Sequence, residues 1–209
     1  MRIRYLAILI CIAFFYCKEE KGKISTFSPT IVNHIVHEKP KKTFKVQNVG
    51  DTLDNFNNVV VFYNKSMNST SGRNLTEDGY NLGLKWQCVE FVKRYYYKYL
   101  NHKMPNSYGH AKDFFDLNIA DGGLNKSRNL LQFTNGSSSI PKVNDLVIFD
   151  GHAFNPCGHV AIVSKVEAGE IEIVQQNVGK NSRASLDLEN KNNKWTIDDS
   201  SVLGWLRME

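Results

Sequence analysis

Between residues 88 and 100 the apolar side chains Val89, Val92, Tyr95, Tyr96, Tyr99 and Leu100 recur in steps of three and four. That spacing places them on one face of an α-helix and predicts about four turns. Upstream, "NVVVFYN" has the β-branched and aromatic content of a strand, and the polar "NKSMNSTSGRN" that overlaps its end reads as a loop. Downstream, "GHAKDFFDLN" suggests a second short helix that stops before Gly122 and Gly123. Everything later is strand-like: "DLVIFD", "HVAIVSKV", "IEIVQQN", "RASLDL" and "VLGWLRM", separated by Gly, Asn and charged turns. Helices first and strands afterwards is an α+β order, with N-terminal helices packed on an antiparallel sheet.

The first residues break this pattern. Arg2 and Arg4 precede "YLAILICIAFFYC", an apolar run too short to cross a bilayer comfortably, which reads as a secretion signal; a buried core helix is the competing reading. Cys17 closes the run and "KEE" follows, a pattern that resembles a bacterial lipoprotein signal with Cys17 as the lipidated first residue. The resemblance implies export, a membrane anchor at the N-terminus and a place in the cell envelope or on the outer surface. From Lys18 to about Lys45 the polar, Pro-containing chain reads as a tether, with a strand or short helix packed on the domain as the alternative. The expected layout is a signal over 1–16, a lipidated N-terminus and tether over 17–45, and one domain over 46–209.

Composition changes this picture little. A chain of 209 residues with 42% hydrophobic content supports one substantial core. The net charge of +5 comes from scattered Lys and Arg, which argues against a nucleic-acid surface.

The candidate chemistry starts at Cys88, where "GLKWQC" gives way to the predicted helix. Only a thiolate attacks efficiently, and the free amide N–H groups of a helix start favour negative charge there. The same position suits a buried anchoring cysteine, so a partner has to decide. His159 opens the apolar strand "HVAIVSKV" after the turn residues Pro156, Cys157 and Gly158, which places an imidazole at a sheet end. The other histidines, His34, His37, His102, His110 and His152, lie in the tether, near helix ends or in a loop. Gln175 and Asn177, at the end of the next strand, bring side-chain amides that can accept from the ring and fix its tautomer. Gln87 and Glu90 flank the cysteine; each reads as an oxyanion or substrate contact or as an ordinary helix-start residue.

"KWQCVEF", "GHVAIV", "QQN" and "VLGWLRM" together resemble the cysteine- and histidine-dependent amidohydrolase/peptidase (CHAP) family, a papain-like α+β fold. "LGLKWQCVEFVKRYY" is most similar to the amidase domain of glutathionylspermidine synthetases. The resemblance implies Cys88 as nucleophile and His159 as general base. It also implies a glutamate where this chain has Gln175, which leaves Gln175 and Asn177 both open as the residue that orients the ring. No cofactor and no metal are implied. The substrates that follow are peptidoglycan peptides for an exported enzyme, a glutathione–polyamine amide as the alternative, and, for an inactive module, cell-wall polymer bound but not cut.

Overall fold

The computed structural model describes residues 48–209. The signal, the tether, Cys17 and the start of the domain at Val46 lie outside the described residues.

The described chain opens with two small hairpins. Strands β1 (Thr52–Phe56) and β2 (Val59–Phe62) pair antiparallel through Asn57 and Asn58, both at positive φ (48° and 64°). Asparagine tolerates this left-handed backbone, which a tight hairpin turn demands. Strands β3 (Arg73–Leu75) and β4 (Asn81–Leu84) make the second hairpin. Helix α1 (Cys88–Tyr99) then follows, burying Phe91, Val92, Tyr95 and Tyr96 completely. Each such side chain contributes roughly 1.5–3 kcal/mol when removed from water, so this face anchors the helix.

The second expected helix is a single 3-10 turn, Lys112–Phe114. Ala111, Phe114 and Phe115 are buried, whereas Leu117 is 81% exposed. One turn satisfies the apolar residues available, and no further burial offsets the entropy of a longer helix. Among the described residues α1 is therefore the one α-helix, and the expected set of N-terminal helices is corrected to that helix and a mainly β domain.

The remaining strands are β5 (Gly123–Asn125), β6 (Leu130–Thr134), β7 (Leu146–Phe149), β8 (His159–Glu167), β9 (Glu170–Val174), β10 (Arg183–Lys191), β11 (Lys194–Ile197) and β12 (Val202–Arg207). They form one antiparallel sheet in the order β11-β10-β9-β8-β7-β12-β6-β5. Leu146, Ile148, Val160, Ile162 and Leu206 share a core with the buried face of α1. Their alternates Val147, Ala161, Val163 and Trp205 form a second core with Leu188 and Ile197. The edge strand β11 also hydrogen-bonds the segment after β6, with Trp195 N donating to Ser137 O at 2.7 Å and Gly136 N to Trp195 O at 2.8 Å. Both faces of β7 and β8 are thus covered, which is why their sequences run apolar without alternation.

Candidate active site

Cys88 is the first residue of α1. Gln87 caps the helix with an extended backbone (φ −79°, ψ 161°) but makes no side-chain cap bond, and the first intrahelical bond runs from Phe91 N to Gln87 O at 3.2 Å. The amides ahead of it have no partner within the helix. The Cys88 thiol is faced by the backbone N–H groups of Val160, Val89 and Cys88 itself. Burial pushes the thiol up to about 11; those amides pull the other way, and the nearby Cys157 adds slightly to the rise.

Two glycines allow this approach. A Cβ on Gly83 (φ +124°) would lie 3.2 Å from the Cα and the N of Glu90, so β4 runs against the first turn of α1 only because residue 83 has no side chain. A Cβ on Gly158 (φ +72°) would lie 2.4 Å from Phe149 O. That tight turn delivers His159 at the start of β8, beside the Val160 amide that faces the thiol.

His159 is partly exposed, and its Nε2 lies 3.0 Å from Gln175 Oε1. The Gln175 amide nitrogen donates to Asn181 O at 3.2 Å, so its oxygen is the atom that meets the ring. His159 Nε2 therefore carries the proton and donates it, and Nδ1 is the basic nitrogen. Burial lowers the imidazole to about 4, and the Gln175 bond offsets only part of that. At neutral pH the resting pair is a neutral thiol and a neutral imidazole.

Three other candidate residues find different partners at this site. Asn177 does not orient the ring: its Nδ2 donates to Gln87 Oε1 at 2.6 Å, and its Oδ1 accepts from Asn64 Nδ2 at 2.9 Å. Strand β9 ends at Val174 and Asn177 has φ +72°, so the period-two alternation that would put residues 175 and 177 on one face has already broken. Gln87 lines the cavity, but both amide protons are used, on Met67 O (3.0 Å) and Ser69 O (2.8 Å), so its side chain has no donor left for an oxyanion. Glu90 is fully buried away from the cavity. It pairs with Arg94 Nε at 2.6 Å and accepts from Asn74 Nδ2 (2.7 Å) and Gln176 Nε2 (2.9 Å).

Sequence reasoning passed over Gln176, which joins the parts. Its Oε1 accepts from Phe62 N at 2.7 Å, and its Nε2 donates to Gln87 O at 3.0 Å as well as to Glu90. Arg94 completes the set by donating to Val60 O at 2.7 Å. This buried network ties the end of β9 to the start of α1 and to β2, and so holds the imidazole strand and the cysteine helix together. The signal available in the sequence was a polar residue on the inward side of an apolar strand, beside an Arg spaced four residues from Glu90 on a helix.

Cys88, His159 and Gln175 share the wall of one cavity of about 910 Å³, and Cys157, a free and exposed thiol, lies on the same wall. His110 and His152 also line it and are exposed, whereas His102 is buried with Nε2 2.8 Å from Arg128 O. A thiol surrounded by amide donors, with an oriented neutral imidazole in the same cavity, is the equipment for acyl transfer through a thioester.

Residues 79–177 match the CHAP domain family, a span that includes Cys88, His159, Gln175 and Asn177. Over 148 residues it is 33% identical to the bifunctional glutathionylspermidine synthetase/amidase of Escherichia coli (strain K12), covering 64% of this chain and 23% of that protein. It is 27% identical over 160 residues to the trypanothione synthetase of Crithidia fasciculata, covering 71% of this chain and 24% of that protein. The chain thus spans about a quarter of the length of these relatives. Among solved structures, "The crystal structure of Ly7917" matches at 25% identity over 34% of this chain and 29% of that one, with a TM-score of 0.24, too partial a likeness to describe the fold.

Proposed function

We propose that this protein is an exported cysteine amidohydrolase that cleaves C–N amide bonds in peptidoglycan peptides, anchored through a lipid on Cys17. The observation that carries the catalytic part is that Cys88, at the start of α1, and His159, whose tautomer Gln175 sets, line one cavity.

In this reading the Cys88 proton passes to His159 Nδ1 as sulfur bonds the carbonyl carbon, because burial keeps both groups neutral at rest. The carbonyl electrons move onto oxygen, which the amides of the helix start and Val160 stabilise. Collapse breaks the C–N bond, and the imidazolium gives its proton to the leaving amine. A water then loses a proton to Nδ1 and attacks the thioester, and the departing sulfur recovers that proton. Gln175 holds the ring throughout without adding charge.

The envelope substrate rests on the signal-like N-terminus, and the apolar run before Cys17 supports it. A second reading, hydrolysis of a glutathione–polyamine amide, is favoured by the 33% identity to the synthetase/amidase. The deciding experiment incubates the purified protein separately with peptidoglycan and with glutathionylspermidine and resolves the products by mass. New amines and carboxylates from peptidoglycan, absent with Cys88→Ala, are the expected result; cleavage of the polyamine conjugate alone selects the second reading.

A further inference from the structure

We infer that the cavity selects amides carrying a free carboxylate next to the scissile bond, and that Arg73 is the residue that reads it. This rests on the amidase reading above and names the substrate chemistry of the same site.

None of the residues lining the cavity is Asp or Glu, while Arg73 and Lys65 both line it. Neither has an ion-pair partner among the described residues. Arg73 is nevertheless held in place. Its Nη1 donates to Asn81 Oδ1 at 3.0 Å, and its guanidinium carbon lies 5.9 Å from the centroid of the Tyr108 ring. One N–H is used and the rest of the fork has no hydrogen-bond partner among the described residues, the geometry that binds a carboxylate through two parallel bonds. Arg73 pairs with Leu84 across the β3-β4 hairpin, and β4 runs against the first turn of α1, so the guanidinium belongs to the same wall as Cys88.

Behind this wall lie two buried basic side chains, Lys93 and Arg128. Lys93 Nζ donates to the carbonyls of Asn81 and Ser107, and Arg128 donates to the carbonyls of Asn106, Tyr108 and Asp113. Both are 1% exposed and both bond only to neutral backbone carbonyls, Arg128 through Nη1 and Nη2 with its Nε left without a partner among the described residues, and the Asp113 carboxylate acts on Arg128 from nearby. Lys93 is lowered to about 7 by burial first and then by repulsion from Arg128 and Arg73. The protein thus gathers three basic side chains around the loop carrying Ser107 and Tyr108 and leaves the exposed one, Arg73, facing the cavity with no carboxylate against it among the described residues. A carboxylate there relieves the repulsion, and a polyamine tail adds to it.

The test uses L-alanyl-γ-D-glutamyl-L-lysinamide, whose free α-carboxylate sits on the carbon that carries the nitrogen of its Ala–Glu amide, and the same peptide with that group as a carboxamide. Binding is measured by calorimetry in the full-length Cys88→Ala protein, which removes turnover. About tenfold tighter binding of the acid is expected, with the preference lost in an added Arg73→Gln, partly kept in Arg73→Lys, and weakened by salt. Equal binding of the two peptides, binding of neither, or an undiminished preference after Arg73→Gln overturns the inference. The amidase reading fails separately: a protein that prefers the acid but never cleaves it with Cys88 restored keeps this inference and loses that reading. One that cleaves both peptides equally does the reverse.

Discussion

His159 Nε2 meets Gln175 Oε1 at 3.0 Å, and the Gln175 amide is turned toward the ring by its own bond to Asn181 O. The imidazole is thus oriented by a neutral amide from the adjoining strand end, and the asparagine two residues on has a different task. Gln175→Ala should lower kcat about 100-fold by freeing the ring. Asn177→Ala should cost less in kcat and should loosen the 67–69 segment that it and Gln87 hold. Steady-state kinetics with limited proteolysis checks both; a larger kcat loss in Asn177→Ala reverses the assignment.

Replacing that amide by a carboxylate changes charge without changing shape. In Gln175→Glu the carboxylate stabilises the imidazolium, so the His159 pKa rises from about 4. A protonated ring beside sulfur in turn lowers the thiol from about 11. With Cys157 changed to Ser, alkylation of Cys88 by iodoacetamide at pH 7 should be slow in the parent and several-fold faster in Gln175→Glu. Titration of His159 by NMR gives the direction independently.

The depressed imidazole also makes a statement about stability. Burial lowers His159 to about 4 in the fold, below the 6.5 of a free imidazole, so below pH 6.5 the unfolded chain gains a proton that the folded one refuses. The corresponding stability is complete above pH 6.5 and lost as pH falls through 4, amounting to at most about 3 kcal/mol by the linkage of one pKa unit to 1.36 kcal/mol, because the ring keeps part of its contact with solvent. Urea denaturation between pH 7 and pH 4 should show this loss in the parent and a smaller one in His159→Asn. Parallel curves would place the loss on other groups.

Glu90 should behave as a structural residue. Its removal in Glu90→Ala leaves the Arg94 guanidinium buried and short of its carboxylate, and the Gln176 and Asn74 amides short of an acceptor. A destabilisation of about 3–5 kcal/mol is expected. Denaturant midpoints measure it. An unchanged KM in whatever fraction remains folded separates this outcome from a direct substrate contact, since Glu90 does not reach the cavity wall.

By itself the sequence determined the elements whose signal is local. The steps from Val89 to Tyr99 specify a helix whatever surrounds it, and "DLVIFD" and "HVAIV" carry enough apolar, β-branched content to be strands anywhere. Cys88 at the helix start and His159 at a strand start were legible for the same reason, since both stand at a boundary between patterns. Strands β3 and β5, of three residues each, were not, because their polar sequences are held in place by hydrogen bonds to partners distant in pattern. The turn at Lys112–Phe114 was overread as a helix because local spacing says nothing of how little apolar surface follows it. Tertiary structure alone decided which amide meets the imidazole. Gln175, Gln176 and Asn177 are three consecutive amide side chains of similar chemistry. The end of β9 and the positive φ of Asn177 send the first to His159, the second into the buried Glu90–Arg94 pair and the third to Gln87. A side chain's partner is set by where the backbone points it, and at the end of a strand that direction depends on the packing of the whole domain.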